Sequence, residues 1–443
     1  MHITLIKPTI GRREHSLYVD EGRMEPLMLG VLAGLTPDEH DVVLHDDRFE
    51  SIPYDAPTDL VAITVETYTA RRAYEIAAEY RRRGVPVIMG GMHVMLLPDE
   101  VAEHADSIFI GDAETLWNRV LDDAQNRRLQ KRYEASPGVG QMGGVKPNRA
   151  IYRGKDYLPL SLMQFSRGCR FECNFCAVSS YFGKKHYVRR IDEVLDEIAS
   201  QERKFIFFVD DNIASHRPAF KELCRELAGM KINWISQASI DLTHDREAMR
   251  LMADSGGIGN VIGFESITAE SLKSARKVSN LAGFDRYQRE IAVLREHGMQ
   301  TWAAFTLGYD NDTYDSIMAT MEFARKNRFT FAAFNILTPY PGTDFYRQLE
   351  KDGRLLYDGK WWLHPEYRFN YAAFMPKTMT PETLTQACHE ARTEFNSIPS
   401  LLYRFSDMKT NLRTLWRAST YLRYALLFRK EVHKKHGMRF GIK

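Results

Sequence analysis

The chain has 443 residues, 44% of them hydrophobic and 27% charged, with a formal net charge of +2. That length allows two or three domains, the composition suits a globular protein with a sizeable core, and so small a net charge excludes global steering of a polyanion. Five cysteines, an odd and low number for this length, exclude a disulfide framework and fit a reducing cytosol.

Residues 1–150 alternate strand and helix signals. The opening Met1-His-Ile-Thr-Leu-Ile-Lys7 reads as a strand, because its apolar run is too short for a secretion signal and no cleavage-site pattern follows. Pro26–Leu35 is a helix with small residues, Asp41–His45 a second strand, and Leu60–Val65 a third, continuously apolar as expected of a strand covered on both faces. Ala70–Arg83 reads as a charged amphipathic helix. Val85–Gly91 is a fourth strand ending in two glycines, and Ser107–Gly111 a fifth. Such alternation predicts a parallel, doubly wound sheet with its ligand site at the carboxyl ends of the strands. Arg127–Lys155, with Pro137, Gly138, Gly140, Gly143 and Gly144, reads as a linker or an excursion around this domain.

From about 158 to 353 the pattern repeats six times. The predicted strands are Ser161–Phe165, Phe205–Val209, Trp234–Ala238, Val261–Phe264, Trp302–Leu307 and Phe331–Leu337, with helices between them and a last one at Asp344–Lys351. In β/α barrels chemistry sits at the carboxyl ends of the strands. Directly after the first of these strands come Cys169, Cys173 and Cys176, spaced Cys-x3-Cys-x2-Cys. Three thiolates can hold three irons of a [4Fe–4S] cluster and leave the fourth open. Zinc is the alternative for clustered cysteines, but no fourth Cys or His stands at zinc-finger spacing. Cys224 and Cys388 fall on helix patterns and read as small buried hydrophobes.

Beyond Gly353 the barrel pattern stops. Trp361, Trp362, Tyr367, Phe369, Tyr371 and Phe374 crowd one stretch, read either as the lining of a pocket for a flat or greasy substrate or as packing onto the barrel. Residues 351–443 are expected to form a mostly helical third domain over the barrel mouth. Between Arg404 and Lys443 there are eleven Lys/Arg and two acidic residues, which leaves about −7 for the rest of the chain. With the interleaved Leu, Tyr and Trp, this tail reads first as a docked helix with a solvated basic face. A peripheral contact with an anionic membrane surface comes next; nucleic acid is set aside because the basic region is short and terminal. No apolar run reaches membrane-spanning length, so a cytoplasmic protein is expected, with membrane association through the tail as the further expectation.

The cysteine spacing, with Phe175 directly before Cys176, resembles the radical SAM superfamily. That resemblance implies a [4Fe–4S] cluster on Cys169, Cys173 and Cys176 and S-adenosylmethionine (SAM) on its open iron. It also implies an external one-electron reductant of flavodoxin or ferredoxin type, cleavage of SAM to a 5′-deoxyadenosyl radical, and a partial (β/α)6 TIM-type barrel. At the strand ends the family's pattern points to Phe175, Asp210, Asp211, Gln237, Ser239, Glu265 and Ser266 as SAM contacts. Thr64-Val-Glu-Thr67, Met89-Gly-Gly-Met-His93 and Gly111-Asp-Ala-Glu114 resemble the Rossmann-like cobalamin-binding domain found ahead of many such cores. Thr64, Thr67, Gly90, Gly91, His93 and Gly111 would then contact the corrinoid, the glycines letting it approach the backbone. The Asp-x-His-x-x-Gly motif that ligates cobalt in better-known cobalamin domains is missing from Pro8–Glu14. The expected domains are therefore 1–150 (cobalamin), 151–350 (radical SAM barrel) and 351–443. The expected activity is methylation of an unactivated carbon, by way of a 5′-deoxyadenosyl radical and methylcobalamin, in a small molecule such as a lipid, isoprenoid or tetrapyrrole. Cobalamin-assisted cyclisation, rearrangement or oxidation is the alternative within enzymes, and an iron–sulfur redox protein the alternative outside them. No individual catalytic residue is singled out.

Overall fold

A computed structural model of the protein describes residues 1–12, 22–135, 144–281 and 284–442. Arg13, Glu14 and the linker residues Pro137, Gly138, Gly140 and Gly143 lie outside the described residues. The first domain is a parallel sheet of β1 (His2–Lys7), β2 (Asp41–Asp46), β3 (Leu60–Thr64), β4 (Val87–Gly90), β5 (Ser107–Ile110) and β6 (Arg132–Glu134), in the order β2-β1-β3-β4-β5-β6. All five residues of β3 are buried, which is why its sequence is an unbroken apolar run. The strand order reverses between β1 and β3, the switch point where doubly wound sheets open a crevice for ligands. β6 corrects part of the linker reading. Only Tyr133 of its three residues is buried, so it carries too little alternation to announce a strand.

The second sheet is also parallel, in the order β14-β13-β12-β11-β10-β7. Its strands are β7 (Ser161–Met163), β10 (Phe205–Phe208), β11 (Asn233–Ala238), β12 (Gly257–Glu265), β13 (Gln300–Leu307) and β14 (Phe331–Ile336); β8 (Ser166–Gly168) and β9 (His186–Val188) form a separate antiparallel clasp. Along β13, Thr301, Ala303, Phe305 and Leu307 are buried against the outer helices, while Trp302, Ala304 and Thr306 take the inner face. β12 starts four residues earlier than its apolar run, because Gly257 and Gly259 have no side chain to signal it. A Cβ on Gly259 would lie 1.9 Å from the Gln300 carbonyl oxygen, so only glycine lets β12 and β13 meet there.

The C-terminal segment has little core of its own. Trp361, Trp362, Tyr367 and Phe440 share a hydrophobic core with Val61, Ile63, Met89 and the helix Ala70–Arg82 of the first domain. Glu100 fixes this junction, accepting from Tyr74 Oη (3.1 Å) and Trp362 Nε1 (2.9 Å) with Lys360 Nζ at 3.3 Å. The aromatic stretch is therefore packing rather than pocket. The helix Pro381–Phe395 instead joins the barrel core through Leu384, Ala387 and Ala391, with Cys388 Sγ donating to the Phe334 carbonyl (3.2 Å). Cys224 is wholly buried in the same core.

The last long helix, Leu415–Lys435, runs between the two domains. Near its start Arg417 hydrogen-bonds the Gly298 carbonyl just ahead of β13. Phe428 lies against Trp302 and Phe331, and Glu431 accepts the Gly22 amide (2.6 Å). Gly441 then donates to the Ile10 carbonyl (3.0 Å), tying the end of the described chain to the start of the first domain. Among the described residues no helix is long and apolar enough to cross a membrane.

Candidate functional site

The cysteine loop hangs from a corner held by carboxylates. Asp210, wholly buried after β10, accepts the amides of Phe165 and Ser166 and the Ser166 hydroxyl. Burial pushes its carboxyl up to about 7 against these hydrogen bonds. It is therefore a structural anchor, which corrects its expected SAM contact. Its neighbour Asp211 is exposed, spends one oxygen on the Gly168 amide (2.8 Å), and faces an open cavity. Gly168 has φ +84°, and a Cβ there would strike the Lys185 carbonyl at 2.2 Å, so the turn into Cys169 requires glycine.

Asn212 Nδ2 stands 3.7 Å and Ser215 Oγ 4.0 Å from Cys169 Sγ. Burial pushes the Cys173 thiol up to about 11 and raises Cys176, while the Lys277 ammonium favours both thiolates. Among the described residues no three His, Cys, Asp or Glu side chains converge on one metal ion. Three thiolates in one loop suit three irons of a cubane cluster and leave the fourth open.

Lys277 was not anticipated; it belongs to no motif and is brought in only by the fold. It pairs with Glu265 at 2.8 Å, and Glu265 also accepts from Thr306 Oγ1 (3.3 Å). A bulge between Gly263 and Glu265 turns Glu265 into the left-handed region (φ +62°), re-aiming it at the end of β12. A Cβ on Gly263 would lie 2.3 Å from Glu265 Oε1 and 2.9 Å from Lys277 Nζ, so that glycine makes room for the pair. Gln237 shares the inner face of β11 with Ile235. Two other expected SAM contacts are occupied locally. Ser239 bonds Asn212 and Asp241, and Ser266 hydrogen-bonds Thr268, the N-cap of the next helix. Phe175 packs on the barrel core.

Between the sheet's carboxyl edge and the barrel lies a cavity of about 640 Å³. Its first-domain wall includes Lys7, Arg48, Thr64, Glu66, Gly90, Gly91 and Gly111; its barrel wall includes Leu162, Gln164, Arg167, Val209 and Asp211. Lys7 and Glu66 form an ion pair of 2.6 Å at the switch point, where the strand-end rule would have found them. Gly91 (φ +108°) and Gly111 (φ +95°) are conformational necessities. Gly90 is not: a Cβ there meets only Phe109, at 3.7 Å, and opens onto the cavity. Thr64 Oγ1 is turned to Met28 Sδ (2.7 Å).

Thr67 and His93 lie behind this wall, which corrects their expected corrinoid contact. His93 has no exposed surface. It sits between Thr67 Oγ1 (3.2 Å) and Glu100 (3.3 Å) and against Trp362, where the apolar junction leaves it no path to the cavity. Arg167, two residues before Cys169, reaches across the cavity to Asp112 (3.2 Å) and Glu114 (2.6 Å), so an ion-pair clamp ties the two walls together. Lys184 pairs with Glu172 at the surface.

Residues 163–324 match the radical SAM superfamily. The chain is 32% identical over 361 residues to the bacteriochlorophyllide d C-8(2)-methyltransferase of Chlorobaculum tepidum, covering 75% of this chain and 78% of that one. To the C-12(1)-methyltransferase of the same organism it is 32% identical over 421 residues, covering 92% and 90%. The fold is similar to that of the cobalamin-dependent radical SAM enzyme OxsB, solved with aqua-cobalamin and SAM (TM-score 0.64, 13% identity, 98% of this chain and 71% of that chain). It is also similar to TsrM from Kitasatospora setae, solved with cobalamin and a [4Fe–4S] cluster (TM-score 0.62, 19% identity, 79% and 75%).

Proposed function

For this chain, which belongs to the radical SAM superfamily, we propose cobalamin-dependent transfer of a methyl group to an unactivated carbon of a tetrapyrrole. The observation that carries the reading is the cavity joining the first sheet's glycine-rich carboxyl edge to the barrel wall beside the cysteine loop. When bound, the cluster, SAM and corrinoid supply a 5′-deoxyadenosyl radical and a transferable methyl group.

The chain's own residues then have separable tasks. Cys169, Cys173 and Cys176 hold the cluster, and Lys277 offsets the charge of the Cys173 and Cys176 thiolates. Asp211, Gln237 and Glu265 present polar groups to SAM. Gly90, Gly91 and Gly111 seat the corrinoid, and Arg167 holds the two walls in register. Met24, Met28, Met92 and Met95 with Leu27 and Leu162 line the cavity. Such a wall excludes water from a carbon radical and adapts to a flat, polarizable ring. The small-molecule substrate and an external one-electron reductant are the partners. The same reading extends to a peripheral membrane contact by the C-terminal segment, since a hydrophobic pigment precursor partitions into lipid.

The test supplies methyl-labelled SAM, reductant and a chlorin to the reconstituted protein. The expected result is label in the chlorin with one S-adenosylhomocysteine per deoxyadenosine. Deoxyadenosine without S-adenosylhomocysteine and without label would refute methyl transfer and favour cyclisation or rearrangement.

A further inference from the structure

The outer side of the C-terminal helices carries apolar side chains that the fold leaves open. Leu415 is 92% and Met408 71% exposed, and Leu402, Leu422 and Leu426 are exposed as well. On the helix Leu415–Lys435 another face is already committed: Tyr421 and Ala425 are buried, and Phe428 lies on Trp302 and Phe331. Leu415, Leu422 and Leu426 recur at helical spacing along the outer face, so this helix is apolar on two sides while only one is covered.

Within the segment itself the exposed charge has one sign. Between residues 396 and 430 the one acidic residue is Asp407, which is buried and paired with Arg295 at 2.6 Å. Arg404 and Arg417 are also buried, on backbone carbonyls. Lys409, Arg413, Arg423 and Lys430 remain exposed beside the leucines. A second copy of the chain would bring like charges together on this face. Nucleic acid would have no use for a leucine stripe. Anionic lipid answers both features, taking the leucines into the headgroup boundary and the cations onto phosphate.

We infer that the outer face of residues 402–430 is a monotopic docking surface for an anionic lipid bilayer. The inference rests on the membrane contact in the functional reading and gives it a location and a lipid charge. It is tested by floating the full-length, cluster-loaded protein with vesicles of phosphatidylcholine, alone or containing phosphatidylglycerol. Neither SAM nor substrate is added, so failure leaves the methyl-transfer reading untouched. The expected result is flotation with anionic vesicles only, weakening as salt rises. The double substitution Leu422→Glu/Leu426→Glu should abolish flotation while cluster absorbance and melting temperature stay unchanged. Should that variant misfold, Arg423→Gln and Lys430→Gln serve instead, each weakening vesicle affinity about fivefold. No flotation, equal flotation with neutral vesicles, or a concentration-dependent dimer that the double substitution dissolves would each overturn the inference.

Discussion

Gly90 separates a corrinoid seat from an ordinary strand end. Glycine near the end of a strand costs about 0.5–1 kcal/mol relative to alanine through backbone entropy, and here nothing in the fold requires it. Its φ is not positive, and the nearest atom to a Cβ is Phe109 Cβ at 3.7 Å. Gly90→Ala should therefore stabilise the cofactor-free protein by about 0.5–1 kcal/mol in chemical denaturation. Gly90→Leu should fold too, but its side chain projects into the 640 Å³ cavity. Overpacking against a bound ring costs about 1–3 kcal/mol, which converts to roughly 5- to 150-fold weaker corrinoid retention. Equilibrium dialysis with hydroxocobalamin measures that loss, and cluster absorbance near the cysteines should not change. Gly91→Ala is the control. At φ +108°, with Val65 O 2.8 Å from the new Cβ, it should lower stability instead of raising it. Wild-type corrinoid affinity in folded Gly90→Leu would refute the assignment of this wall.

Replacing Cys169, Cys173 or Cys176 by alanine should abolish both the cluster's visible absorption and deoxyadenosine formation, read by spectroscopy and chromatography. Arg167→Met leaves the largely buried carboxylates of Asp112 and Glu114 without their clamp. It should cost about 3–5 kcal/mol in denaturation and raise the ratio of deoxyadenosine to methylated product, with Arg167→Lys intermediate. Burial alone would raise the Glu100 carboxyl, but hydrogen bonds from His93, Trp362 and Lys360 bring it down to about 2. Its folded value thus lies below its ordinary 4.5, so its stabilisation is complete above about pH 4.5 and is lost as pH falls towards 2. The melting-temperature gap between the wild type and Glu100→Gln should be constant near neutrality and shrink below pH 4.5.

Periodicity carried most of the fold because the longer strands bury a long enough apolar stretch. β3 reads as a solid run and stands where expected, and β13 begins two residues ahead of its expected start at Trp302, its alternation showing only in the burial. β6, β8 and β9 have three residues each, too few for any period to register, and β12 hides its first residues behind glycines. The cysteine loop was legible because three ligands sit within eight residues of sequence. Lys277, and the partners that Arg167 and Glu265 find, were not, because they lie far along the chain and meet only when the strands align. His93 misled for the opposite reason. It follows Gly90 and Gly91 closely in sequence, but the helix Met92–Leu96 turns it away from the cavity that Met92 and Met95 line, into the junction with Trp362.

Phe440 completes a core whose other members include Ile6 and Val61, and Gly441 hydrogen-bonds Ile10. During translation the first sheet therefore leaves the ribosome long before the segment that seals it, with the entire barrel synthesised in between. A fragment ending at residue 135 should expose the surface that Trp361 and Phe440 cover and aggregate. A bulky insertion directly after Gly441 would therefore disturb the first domain.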